Sequence, residues 1–175
     1  MLVVRGDVYF REATEADGAL LELWSGADFT GKFNDLGSPD EDPSQSGLQE
    51  HRLIVCRSAD DGPIGEVTWH PVRYGPDRKS RAWNIGINLI PEARGLGYGT
   101  ATQRRLVEQL FDSGDVNRIE ASTDIENVAE QRALAKAGFK REGVIRGAQF
   151  RAGCWHDLVL YGCLREDMPT SPRPP

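Results

Sequence analysis

Along this chain, short stretches of alternating apolar residues give way to longer stretches in which apolar positions recur every three or four residues. Alternation marks a strand, whose successive side chains point to opposite faces. Recurrence at i, i+3 and i+4 marks one face of a helix. The pattern predicts strands over residues 8–13, 53–57, 64–70, 81–90, 118–123, 139–145 and 154–164. The turn Ala59-Asp60-Asp61-Gly62 joins the second and third of these as a hairpin. Thr14-Glu15-Ala16-Asp17 resembles a capping box. Ala16, Ala19, Leu20, Leu23 and Trp24 follow it at helical spacing. A second helix over about 98–111 buries Leu106, Val107, Leu110 and Phe111, and a third over about 126–137 buries Ala129, Ala133, Leu134 and Ala137. Gly138 stands where a left-handed helix stop is wanted. The order β-α-(loop or helix)-β-β-β-α-β-α-β-β predicts a mixed α/β architecture with helices on both faces of one sheet.

The segments between these elements hold no repeat and no sharp change in composition. Residues 37–47 are polar and rich in turn formers, which predicts a mobile loop, and residues 75–79 form another turn. The proline-rich residues 168–175 read as a disordered tail behind one domain over 1–167. Hydrophobic residues make up 39% of the chain, enough for a core, yet their runs fall far short of the roughly 20 that span a bilayer. The N-terminus meets a charge too early for a signal peptide. Cys56, Cys154 and Cys163 are an odd count without metal spacing, so free thiols, no metal site and a cytoplasmic protein are expected. The net charge of −6, with no Lys/Arg cluster, argues against a nucleic-acid partner. It suits a cationic acceptor through long-range attraction, although the same charge also serves solubility.

The stretch Asn88-Leu89-Ile90-Pro91-Glu92-Ala93-Arg94-Gly95-Leu96-Gly97-Tyr98-Gly99-Thr100 carries the most chemistry. A strand ends, three alternating glycines follow, and a helix begins. Glycine lets backbone approach a ligand closely. The first N–H groups of a helix lack internal partners and carry partial positive charge. Together they predict an anion site suited to a pyrophosphate, with Arg94 beside it. No lysine follows Gly99, so a P-loop is rejected. A dinucleotide fingerprint fits poorly, because its third glycine would fall at Thr100, although Glu120 lies at a distance suited to a ribose partner. A glycine turn with no ligand is the remaining alternative.

Arg94-Gly95-Leu96-Gly97-Tyr98-Gly99 resembles the R/Q-x-x-G-x-G/A coenzyme A motif of the GNAT N-acetyltransferase superfamily. Residues 127–139, an Asn-led helix ending in Ala137-Gly138-Phe139, resemble its second motif about 30 residues on. Arg146 and residues 157–161 resemble the closing strands of the branch that acetylates ribosomal-protein N-termini. The resemblance runs over residues 8–165. It implies the GNAT fold: one mixed, mostly antiparallel, twisted sheet of about seven strands, splayed between the fourth and fifth. It further implies acetyl-CoA as co-substrate and an amine acceptor, on a small molecule or a protein N-terminus. The pantetheine arm is expected beside Ile87, Asn88, Leu89 and Ile90, with Asn127 near it. The pyrophosphate is expected on the N–H groups of Gly95, Leu96, Gly97, Tyr98, Gly99 and Thr100. Trp24, Phe29, Phe33 and Trp155 fall in the regions that wall the acceptor pocket in the family. A homodimer is left open.

The chemistry requires that the acceptor lose a proton, that the thioester carbonyl be polarised, and that the leaving thiolate be protonated. Direct transfer is expected, because nothing in the sequence marks an activated nucleophile, Cys154 and Cys163 included. The family's proton-transfer residues are altered. Asn84 stands where many members carry Glu, Leu134 where others carry Tyr, and Glu130 where Ser is frequent. Asn84, Glu66 and Glu130 are the catalytic candidates, against plain solvated roles for both glutamates. His70 has a suitable ordinary pKa but ends a strand. Asp157 is a candidate either to orient the acceptor amine or to pair with Arg146, the ion pair being favoured. A non-catalytic acyl-CoA-binding protein is the alternative function.

Overall fold

The computed structural model describes residues 7–24, 50–114 and 116–168. Phe29, Phe33, the turn-rich segment 37–47 and the proline-rich end beyond Met168 lie outside the described residues. Seven strands form one sheet: β1 (Val8–Arg11), β2 (His51–Arg57), β3 (Pro63–Arg73), β4 (Arg81–Leu89), β5 (Arg118–Asp124), β6 (Lys140–Arg151) and β7 (Cys154–Leu164). Their spatial order is β1-β2-β3-β4-β5-β7-β6. Every neighbouring pair is antiparallel except β4 and β5, which run parallel. A parallel pair needs a crossover, and the helix α2 (Tyr98–Ser113) supplies it. The helix α1 (Gly18–Trp24) follows β1, and α3 (Val128–Ala137) connects β5 to β6.

Alternation along β2 places helices on both faces. Leu53 and Val55 belong to the main core with Leu106, Val107, Leu110 and Phe111 of α2 and Leu134 of α3. Ile54 and Cys56, one residue out of step, pack against Trp24, Leu20 and Leu21 of α1. No described helix is long and apolar enough to cross a membrane.

Two helix faces differ from the sequence pattern. In α1 and the short 3-10 turn before it, the inward residues are Asp17, Leu20, Leu21 and Trp24, while Ala16, Ala19 and Leu23 are exposed. Positions 17, 20, 21 and 24 form a regular helical stripe, hidden because its first member is charged. Asp17 tolerates the site because Arg11 donates to both its carboxylate oxygens at 2.7 Å and the Thr14 amide and hydroxyl each donate at 2.8 Å. In α3, Leu134 and Ala137 are buried and Ala133 is half-buried, but Ala129 is exposed and Glu130 turns inward in its place. Strand ends also moved. β6 extends to Arg151 because β7 pairs with it up to the tip residues Ala152 and Gly153, both at positive φ.

Candidate active site

The parallel contact between β4 and β5 is brief. Trp83 lies opposite Ile119 and Asn84 opposite Glu120, and there the register ends. On its other side β4 stays paired with β3 as far as Gly65 opposite Leu89. β5 likewise stays paired with β7 up to Asp124 opposite Leu158. The two halves of the sheet therefore diverge beyond residues 84 and 120 and leave a wedge. A cavity of about 300 Å³ fills it. Ile85, Gly86, Ile87 and Asn88 line it from β4, Ala121, Ser122 and Thr123 from β5, and Glu66 and Thr68 from β3. Gln103 of α2 and Asn127 and Glu130 at the start of α3 complete the lining.

The end of β4 leads to the glycine turn. The Arg94 Nε donates to the Leu89 carbonyl at 2.8 Å and ties the turn to the strand. Gly95 and Gly97 have φ of 72° and 89°, a left-handed conformation that side chains with a Cβ resist. Gly97 caps α2 and brings no side chain to cover the helix end. The first helical bond runs from the Ala101 amide to the Gly97 carbonyl. The amides of Tyr98, Gly99 and Thr100 therefore have no partner within the helix, the local geometry that an anion site requires.

Asn127 caps α3, accepting from the Glu130 amide at 3.3 Å, and the same side chain borders the cavity. The cap and the cavity wall are thus one residue. Leu96 is exposed at the tip of the turn, and Tyr98 packs partly against the core.

Two carboxyls reach the cavity from opposite sides. Glu66 is buried on β3, 3.2 Å from the Arg52 guanidinium through Oε2, with the Asn88 amide 3.5 Å from Oε1. Glu130 is not a solvated helix residue. Burial pushes its carboxyl up from 4.5 to about 7, while the hydrogen bond from Gln103 Nε2 to its Oε1 pulls the other way. Desolvation is the larger of the two effects.

The other candidates fall elsewhere. Asn84 lies at the closed end of the wedge, outside the cavity lining, with Nδ2 3.5 Å from Glu120 Oε1. Buried Glu120 also accepts from the Tyr74 hydroxyl at 2.6 Å and from Arg118 Nε at 2.9 Å. Burial and then Glu120 raise the Tyr74 hydroxyl, and Glu142 foremost raises the Arg118 guanidinium. This is a structural network that fastens the two half-sheets where they still touch. His70 sits opposite Asn84 in the β3–β4 ladder and does not line the cavity. Trp24 is buried against Ile54 and Cys56. Trp155 is 68% exposed at the β6–β7 tip, edge-on to Phe150 at 5.2 Å.

Asp157 does not take Arg146 as its partner. Its Oδ1 accepts the Gly147 amide at 2.7 Å, because β6 bulges between Ile145 and Gln149 and turns that amide toward β7. Cys163 is buried, which raises its thiol to about 11. Cys154 is exposed, with Sγ 3.1 Å from His156 Nε2 and outside the cavity lining.

Sequence reasoning passed over Gln103, Thr68, Gly86, Ser122 and Thr123. The signal for Gln103 was available, since it is a polar residue in line with Leu106, Val107 and Leu110. Buried Arg151 pairs with Asp124 across 27 residues and left no local trace.

Residues 7–140 match the acetyltransferase (GNAT) domain family. The uncharacterised N-acetyltransferase YoaA of Bacillus subtilis (strain 168) is 29% identical over 102 residues, covering 58% of this chain and 55% of that protein. The chain thus spans about half the length of that relative. Aminoglycoside N(6')-acetyltransferase type 1 of Klebsiella pneumoniae is 26% identical over 155 residues, 79% of this chain and 76% of that one. Among solved structures, Mycobacterium smegmatis RimJ in complex with CoA-disulfide shares the fold with a TM-score of 0.74 at 24% identity, over 95% of this chain and 86% of that one.

Proposed function

This chain belongs to the acetyltransferase (GNAT) domain family, and on that premise we propose that it carries an acetyl group from acetyl-CoA to the primary amine of a small molecule or a protein N-terminus, by direct attack. One observation carries the reading. A wedge between two diverging strands opens beside a helix whose bare amides face outward from a glycine turn. A thioester on a long amide-bearing arm, ending in a diphosphate, fits both features at once.

In this reading the amides from Gly95 to Thr100 hold the diphosphate, with Arg94 locking the turn to β4. The end of β4 and the residue after it, Ile87 to Ile90, unpaired toward β5, take the pantetheine arm by backbone hydrogen bonds. A β4 amide also polarises the carbonyl. Glu66 attracts the acceptor ammonium and takes its proton, directly or through water. Glu130, poised near neutral pH, gives a proton to the departing sulfur. Asn84 cannot move a proton, and its place beside Glu120 makes it a positioning residue. Trp155 stands at the rim of the acceptor side. Holding thioester and amine side by side supplies much of the acceleration. The protein acts in the cytoplasm as one domain over residues 1–167.

The test is release of free coenzyme A thiol from acetyl-CoA across a panel of amines that includes polyamines, aminoglycosides and peptides with free N-termini. Thiol release with at least one amine is expected. Tight acetyl-CoA binding without release for any amine would favour the non-catalytic acyl-CoA-binding alternative.

A further inference from the structure

Gln103 lies on the inward stripe of α2, one turn before Leu106 and Val107, and is 1% exposed. Its Nε2 donates to Glu130 Oε1. Its own Oε1 is buried and has no hydrogen-bond partner among the described residues. A buried amide oxygen left without a donor destabilises the fold, because its lost hydration is not replaced. Leucine or methionine would fill a helix stripe of this kind without that cost. The same side chain borders the wedge between β4 and β5. An unpaired acceptor at a cavity wall is satisfied when the occupant brings a donor.

We propose that Gln103 is a binding residue for the thioester substrate, its Oε1 accepting a hydrogen bond from an amide N–H of the pantetheine arm while its Nε2 holds Glu130. This inference rests on the acetyl-CoA reading above. The arm is the occupant because of where Gln103 comes from. It stands on α2, the helix whose first turn carries the diphosphate site, whereas Glu66 and Thr68 approach from β3. A secondary amide also matches a single carboxamide oxygen, whereas an ammonium is drawn to the carboxylates. Gln103 thus links the two substrates' sites: one end of its amide reads the arm and the other fixes a side chain that faces the reacting sulfur.

Titration calorimetry with two probes tests this. Coenzyme A carries the arm, and 3′-phospho-ADP carries the same phosphates without it. In Gln103→Leu, the coenzyme A dissociation constant is expected to rise roughly tenfold, while that of 3′-phospho-ADP stays unchanged and shows that the fold is intact. Gln103→Met, closer in shape, gives the same pair of results should the leucine variant not fold. An unchanged coenzyme A constant, or equal weakening of both probes, overturns the assignment. So does an unchanged coenzyme A constant with a raised KM for the amine, which would give the oxygen to the acceptor instead. If the wild-type protein binds neither probe, the acetyl-CoA reading itself fails, a result distinct from the others.

Discussion

Glu130 shows how a single position decides chemistry. On helical spacing it belongs with Leu134 and Ala137, yet it is a carboxyl, and its partner is a neutral amide rather than a cation. Its folded pKa, about 7, lies above its ordinary 4.5. The folded state therefore binds the proton more tightly. Its stabilisation is complete below about pH 4.5 and is lost as pH rises through about 7. The loss is on the order of 3 kcal/mol. Urea midpoints for the wild type should fall across that window relative to Glu130→Gln, which holds no titrating proton there. Parallel curves for the two proteins would mean that the carboxyl is not desolvated. If Glu130 serves as the acid, a descending limb near pH 7 in the turnover rate should also vanish in Glu130→Gln. Glu66 differs, because Arg52 stands beside it. Glu66→Gln should lower kcat/KM for the amine by about 10²-fold or more and leave acetyl-CoA binding intact, as read by calorimetry beside steady-state rates.

At the scale of elements, the glycine turn and α2 work as one unit. Gly97 sits at a φ of 89° with open space where a Cβ would point, so strain rather than crowding limits substitution. Gly97→Val should raise the acetyl-CoA dissociation constant at least tenfold while the thermal midpoint drops by only a few degrees. An unchanged constant would remove the phosphate role from the turn. Leu134, fully buried on α3, belongs to the core instead, and Leu134→Ala should cost about 2–5 kcal/mol of stability, measured by denaturant unfolding. Elements with clean periodicity were legible in the sequence, α2 and β7 above all. Its limits lay where charge enters a buried stripe. Asp17 hid the true face of α1, the inward turn of Glu130 left no mark in the apolar pattern, and Gln103 was passed over as polar. In each case the partner that permits burial lies on another turn or another element, out of reach of local pattern.

At the scale of the whole molecule, function follows from an interruption. Five of the six neighbouring strand pairs are antiparallel. The one parallel pair lets go after two residues. The network of Asn84, Glu120, Tyr74 and Arg118 holds the closed end, and the open end becomes the cavity. The glycine motif predicts the anion site from sequence because its cause is local backbone geometry. The splay came only from resemblance, since nothing in the apolar alternation of β4 or β5 says where their pairing stops. The residues that face each other across the gap, Glu66, Gln103 and Glu130, needed the fold to bring three elements together.

Amide hydrogen exchange with and without coenzyme A tests the central claim most directly. Binding should slow exchange at Leu96 to Thr100 and along Ile87 to Ile90, with little change in β1 or β2. Saturable binding that leaves both stretches as fast as in the free protein would contradict it.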